Sequence, residues 1–79
     1  MDGDQIMAVL RRTIVDVVPS IDSGVIRSDL SLADLGCNSL DRLDIVTITM
    51  ADLGVAVPIE RFQAGVDLAA LVTLLAEYA

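Results

Sequence analysis

One short stretch in the middle of the chain, residues 34–44, constrains the fold most: Asp-Leu-Gly-Cys-Asn-Ser-Leu-Asp-Arg-Leu-Asp. Gly36 ends a loop, and a helix begins at about Asn38 or Ser39, since Asn and Ser are preferred helix caps. The first amides of a helix lack partners within the helix and carry partial positive charge. A serine at this point is therefore either a plain helix cap or the anchor of a phosphate-linked group.

Apolar residues at helical spacing predict a first helix over residues 4–18, with Asp4 as its N-cap and Pro19 ending it. The following residues, 19–38, contain no long periodic segment, which is unusual in a small domain unless the loop is functional or partly ordered. Within that loop, residues 31–34 have the Ser-x-x-Asp form of a capping box. A single helical turn, closed by the glycine that follows, is expected there.

Further helices are predicted in the second half of the chain. One covers residues 39–53 and ends at the next glycine, and the last covers residues 68–78 with Asp67 as its cap. Between them, residues 59–64 are expected to form one short helix with Phe62 facing inward. The predicted fold is all-α: a small four-helix bundle of three main helices and one short helix, with a long first loop.

The predicted second helix has more apolar side chains than one core face needs. If Ser39 must be reachable, the side with Leu43 and Met50 tends toward the surface and the side with Ile45 and Ile48 packs inward. If Ser39 is only a cap, the stripe through Leu43 and Met50 is the simpler core. The sequence pattern leaves both arrangements open.

Composition and charge exclude several classes of function. The 79 residues allow one domain, residues 1–79, and 54% of them are hydrophobic, so the core is small and aliphatic. The net charge of −7 would repel nucleic acid and anionic membranes, whereas it favours basic protein partners. The chain has no histidine, which excludes Ser-His-Asp and Cys-His catalysis within it.

The cysteine content and the apolar runs bear on compartment and on metals. A single cysteine, Cys37, permits no internal disulfide and is compatible with a reducing cytoplasm. Without histidine it also leaves too few ligands for a zinc site, so Cys37 is expected to be a small core or loop side chain. No apolar run approaches the ~20 residues of a membrane span, and no basic signal-peptide region is visible at the N-terminus.

In this setting residues 34–41, Asp-Leu-Gly-x-Asn-Ser-Leu-Asp, resemble the attachment motif of acyl carrier proteins. The resemblance extends over nearly the whole chain, through the helix order, the long first loop, the acidic charge and the final apolar helix. In that family the serine carries 4′-phosphopantetheine, whose terminal thiol holds acyl groups as thioesters, and Ser39 matches that serine. The residue before it is usually Asp; Asn38 still caps a helix but removes one negative charge from the face that a transferase recognises.

Residues 38–42, Asn-Ser-Leu-Asp-Arg, are similar to the Asn-Ser-x-Asp-Arg form of free-standing donor carriers in polyketide β-branching cassettes. Those carriers hold malonyl and then acetyl, which an HMG-CoA-synthase-like enzyme adds to a β-ketothioester on another carrier. The resemblance implies four partners: a phosphopantetheinyl transferase, an acyltransferase, a ketosynthase-like decarboxylase and an HMG-CoA-synthase-like enzyme. It also implies a monomeric cytoplasmic carrier that is not itself an enzyme.

The resemblance gives a function to the outer side of the predicted second helix. Its acidic and apolar side chains favour a docking face for basic partners, although a solvated helix surface has the same composition. The residues expected to bind partners are Leu40, Asp41, Arg42, Leu43, Asp44 and Thr47. Arg42 could contact the phosphate, a partner's acid or a surface acid of this chain.

Other interpretations stay open at this point. Ile59, Phe62 and Leu68 could line a cleft that shelters the acyl chain, or they could simply pack. The chain could be a peptidyl carrier, another discrete polyketide or fatty-acid carrier, or a helical interaction module in which Ser39 is a structural cap. A small hydrolase is disfavoured by the absence of histidine.

Overall fold

Three α-helices form the architecture in a computed structural model, which describes residues 1–63 and 65–79. The helices are α1 (Gly3–Val17), α2 (Ser39–Leu53) and α3 (Leu68–Glu77). The connections contain two 3₁₀ turns, Ser23–Val25 and Ile59–Arg61. The described ranges contain no strand, so the all-α prediction is confirmed. The short helix predicted over residues 59–64 is only the second 3₁₀ turn, and residue 64 lies outside the described residues.

The start of α1 differs from the prediction. Asp2, not Asp4, is the N-cap: its carboxylate accepts a hydrogen bond from the backbone amide of Gln5 at 2.8 Å. The Gln5 side chain in turn accepts one from the amide of Asp2 at 3.1 Å. This reciprocal capping box satisfies two amides at once, and no such partner stands three residues after Asp4. Asp4 instead lies in the first turn, where a negative charge favours the helix dipole.

The core lies between α1 and the other two helices. α1 packs against both α2 and α3, whereas α2 and α3 do not pack closely against each other. The buried aliphatic residues of the three helices recur at helical spacing, and burial of each stabilises the fold by about 1.5–3 kcal/mol. They are Ile6, Leu10, Ile14, Ile45, Val46, Leu68, Leu71 and Leu75.

The long first loop is ordered because it is tied to the helices on both sides. Ile21 and Ile26 are buried in the core, and Arg11 of α1 donates a hydrogen bond to the carbonyl of Ile26 at 3.2 Å. The amide of Leu68, the first residue of α3, donates to the carbonyl of Leu30 at 2.9 Å. These contacts fix the segment that leads into α2.

The orientation of α2 only partly follows the predicted stripes. Ile45, Val46 and Thr49 are its buried residues. Leu43 is 47% exposed, as expected if Ser39 is reachable, but Ile48 is 44% exposed, so its inward placement was wrong. The reason is that α2 packs chiefly against α1. Only the strip midway between the two stripes is therefore covered, and both flanks remain accessible.

The end of the chain closes the bundle much as predicted. Asp67 caps α3, its carboxylate accepting from the amide of Ala70 at 2.8 Å. Arg61, in the second 3₁₀ turn, donates to the hydroxyl of Tyr78 at 2.9 Å and to the carboxylate of Glu77 at 3.3 Å, which ties that turn to the end of α3. Within the described ranges, no helix has both the length and the apolar character that crossing a bilayer requires.

Candidate functional site

A single turn before α2 positions the start of that helix. The amide of Asp34 donates to Ser31 Oγ at 2.9 Å and the amide of Ser31 donates to the Asp34 carboxylate at 3.0 Å, which confirms the predicted capping box. Gly36 ends the turn with φ at +91°, a conformation that costs other L-residues about 1–2 kcal/mol. The side chain of Cys37 is buried, so the backbone enters α2 from a fixed point.

Asn38 is the N-cap of α2, and it leaves Ser39 free of that task. Asn38 Oδ1 accepts a hydrogen bond from the amide of Asp41 at 2.8 Å. Asp41 Oδ2 accepts one from the amide of Asn38 at 3.1 Å. The two bonds form a reciprocal capping box. The choice between Asn38 and Ser39 as cap, which the sequence left open, is therefore decided in favour of Asn38.

Ser39 is exposed at the first position of α2. Its hydroxyl oxygen accepts a hydrogen bond from Arg42 Nη2 at 3.3 Å. In the part of the chain that the structure describes, the amides of Ser39 and Leu40 donate to no protein acceptor. An accessible hydroxyl beside two free amides and a guanidinium fits a covalently attached phosphate group, since the amides and the guanidinium favour negative charge.

The guanidinium of Arg42 forms two hydrogen bonds at the N-terminus of α2. Besides its contact with Ser39, its Nη1 donates to the carbonyl oxygen of Cys37 at 3.0 Å. No carboxylate of the described residues lies within ion-pair distance of Arg42. Among the described residues Arg42 therefore forms no ion pair with a surface acid of this chain, and its contact with a phosphate or with a partner's acid remains a prediction.

Cys37 lies close to the site without being suited to chemistry there. Burial, and then the charge of Asp41, raise the pKa of the Cys37 thiol, while Arg42 opposes them. The thiol therefore stays protonated at neutral pH and is a weak nucleophile. With a side chain only 5% exposed, it is the small core residue that the sequence predicted. Among the described residues, no three His, Cys, Asp or Glu side chains are grouped to hold a metal ion.

The predicted partner-binding residues separate into two groups. Leu40, Leu43, Asp44 and Thr47 are exposed on the outer side of α2, and Leu40 is 70% exposed. Asp41 and Arg42 are half-buried and engaged at the helix N-terminus. That the exposed four bind a partner remains a prediction.

A cavity of about 210 Å³ lies between α2 and the segment that leads to α3, where the two helices do not meet. Ile59 and Phe62 line it, as the cleft hypothesis expected. Leu68 does not, because as the first residue of α3 it is fully buried in the core. Arg42 is the charged residue among the described ones that line the cavity. Leu32 also lines it and was not predicted, because the irregular turn before α2 carries no periodic signal that would single it out.

Loss of the cap and loss of the serine should affect stability differently. Asn38→Ala removes the cap and should lower the free energy of unfolding by about 1 kcal/mol. Ser39→Ala removes no capping bond and should change it by less than about 0.5 kcal/mol. Chemical denaturation followed by circular dichroism measures both. A larger loss from Ser39→Ala than from Asn38→Ala would mean that Ser39 is the structural cap.

Comparison with known proteins identifies the family. No family model matches the chain. The chain is 34% identical over 58 residues to the polyketide biosynthesis acyl-carrier-protein AcpK of Bacillus subtilis (strain 168), and the aligned part covers 73% of this chain and 71% of that relative. Its fold matches a chain in the crystal structure of the Curacin biosynthetic pathway HMG synthase in complex with acetyl donor-ACP, with a TM-score of 0.86. The two chains are 22% identical, and the match covers 98% of this chain and 99% of the chain in that crystal structure. At this identity and coverage of the Bacillus relative, the chain belongs to the acyl carrier protein family.

Proposed function

We propose that this chain is the acetyl donor carrier of a polyketide β-branching cassette, with 4′-phosphopantetheine attached to Ser39. The observation that carries the attachment is the exposed Ser39 hydroxyl at the N-terminus of a helix that Asn38 already caps. The donor role is supported by the Asn-Ser-x-Asp-Arg form of residues 38–42 and by the likeness to a chain from an HMG synthase complex with an acetyl donor.

The chain's own residues hold and present the cargo. When bound, the prosthetic group supplies the thiol that carries an acyl group as a thioester. Ser39 fixes that group at the end of a rigid helix, where free amides and Arg42 offset the phosphate charge. The chain contains no histidine, and its one thiol is buried and protonated, so it offers no activated nucleophile to hydrolyse the thioester. The carrier is therefore expected to leave catalysis to its partners.

The outer side of α2 is the proposed docking face, defined by Leu40, Leu43, Asp44 and Thr47. Leu40 and Leu43 offer apolar contact close to Ser39, while Asp44 and the net charge of −7 attract a basic rim on the partner. A transferase, an acyltransferase, a decarboxylase and a synthase must use this face in turn, so each complex has to be weak enough to exchange. Efficiency then comes from the tethered arm, which raises the effective concentration of the acyl group at each active site.

The donor role can be tested by reconstitution. The carrier is loaded with malonyl and mixed with a ketosynthase-like decarboxylase, an HMG-CoA-synthase-like enzyme and an acceptor carrier bearing a β-ketothioester. We expect the wild-type carrier to lose carbon dioxide and donate acetyl, so that the acceptor gains the branch by mass spectrometry, whereas Ser39→Ala gives none. A fully loaded wild-type carrier that donates no acetyl to the synthase, but serves an aminoacyl or fatty-acid partner, would contradict the donor role.

Two aspartate substitutions on α2 test the docking face. Leu43 and Ile48 are 47% and 44% exposed, and only Leu43 lies on the proposed face. Leu43→Asp should weaken binding to the synthase by about tenfold or more, equivalent to about 1.4 kcal/mol, because it places a charge in the apolar contact. Ile48→Asp adds the same charge outside the face and should change binding by less than about twofold. Titration calorimetry measures both affinities.

Circular dichroism provides the control for this pair. Both variants should keep the helical signal, since both side chains are substantially exposed. Loss of helical signal in Leu43→Asp alone would mean that Leu43 belongs to the core. Equal weakening by both variants would contradict the proposed face, because one more negative charge should by itself strengthen, not weaken, the attraction to a basic rim.

A further inference from the structure

Arg42 is placed to act on the prosthetic group itself. We propose that its guanidinium is the intramolecular ligand of the phosphodiester on Ser39, which makes Arg42 a positioning residue for the arm and not a contact for a partner's acid. The proposal rests on the proposed attachment at Ser39. Beyond that attachment, the proposal names a residue of the carrier that sets the position of the phosphodiester from which the arm extends.

The Arg42 guanidinium lies next to the proposed point of attachment. Arg42 Nη2 lies 3.3 Å from Ser39 Oγ, and Nη1 lies 3.0 Å from the carbonyl oxygen of Cys37. A phosphorus atom bonded to Ser39 Oγ carries its free oxygens two bonds from that Oγ, within reach of the same guanidinium. Arginine has five N–H donors in a planar fork that suits phosphate, so donors remain after the Cys37 contact.

A cation close to Ser39 would offset the negative charge of an attached phosphodiester. Acidic residues flank the start of α2 in the sequence, at Asp34, Asp41 and Asp44, and the whole chain carries a net charge of −7. A phosphodiester added there brings one more negative charge, and Arg42 is the arginine in contact with the site. The other four arginines contact groups elsewhere: Arg11 the carbonyl of Ile26, Arg12 Asp52, Arg27 Asp29 and Arg61 Glu77.

The position of Arg42 on α2 gives the arm a direction. At 100° per residue, Arg42 and Asp44 lie on nearly opposite sides of the helix. Arg42 also lines the cavity beside α2, whereas Asp44 is exposed on the docking face. A phosphodiester held by Arg42 therefore lies on the cavity side of the helix, away from the Asp44 carboxylate.

The test uses the carrier alone, so that no partner protein is present for Arg42 to contact. Wild type, Arg42→Gln, Arg42→Lys and the control Arg12→Gln are loaded with phosphopantetheine, and intact mass verifies a single addition. Phosphorus NMR then reports the phosphodiester, and nitrogen–proton NMR reports the Arg42 guanidinium. Arg12 is a suitable control because it pairs with Asp52, 13 residues and roughly 20 Å along α2 from Ser39.

We expect loading of the wild type to shift the Arg42 guanidinium resonances and to slow the exchange of their protons. The phosphorus resonance of Arg42→Gln should differ from the wild-type one by more than the linewidth, Arg42→Lys should lie between them, and Arg12→Gln should coincide with wild type. Lysine keeps the charge without the planar fork, so it separates contact from simple charge.

Other results would overturn the proposal. Unchanged guanidinium resonances on loading, together with the same phosphorus resonance in wild type and Arg42→Gln, would overturn it even if Arg42→Gln bound the synthase more weakly. Failure of wild type to accept the group would overturn the attachment at Ser39 and this proposal together. If only Arg42→Gln fails to accept the group, the wild-type carrier is compared before and after loading. A shift of its Arg42 guanidinium resonances supports the proposal, and unchanged resonances overturn it.

Discussion

The reciprocal hydrogen bonds between Asn38 and Asp41 are the interaction on which the site depends. They satisfy the amides of the cap and of the third helical residue, at 3.1 and 2.8 Å, and so fix where α2 begins. Ser39 is thereby left at the first helical position with no structural task. Because Asn38 caps the helix and Ser39 does not, an exposed serine lies at a well-ordered helix end, as the proposed attachment requires.

The packing of the helices determines which sides of α2 are accessible. Because α2 packs chiefly against α1, one flank of α2 borders the cavity and the opposite flank faces outward. Leu43 lies at the border of the two, since it lines the cavity and is half exposed. The proposed attachment, docking face and phosphate contact all lie within the first three turns of a single helix, so their relative geometry is fixed by that helix.

Local signals allowed much of this to be predicted from the sequence. The bounds of α2 were predicted because Asn38 and Gly54 mark its ends by residue type alone, and the turn at Gly36 follows from the Ser-x-x-Asp pattern before it. The cap of α1 was missed because the choice between Asp2 and Asp4 depends on the reciprocal bond from Gln5. The exposure of Ile48 depends on which neighbour α2 packs against, and periodicity does not contain that information. The spacing of Arg42 three residues after Ser39 places the two side chains on one helix face, but its contact with the Cys37 carbonyl needed the three-dimensional structure.

The proposed function and the proposed role of Arg42 both require that Ser39 is the attachment point of the prosthetic group. Intact mass after incubation with coenzyme A and a broad-specificity phosphopantetheinyl transferase tests it most directly, with Ser39→Ala alongside. We expect a single phosphopantetheine addition to the wild type and none to the variant. No addition to a folded wild-type chain with several transferases, or an equal addition to Ser39→Ala, would contradict it.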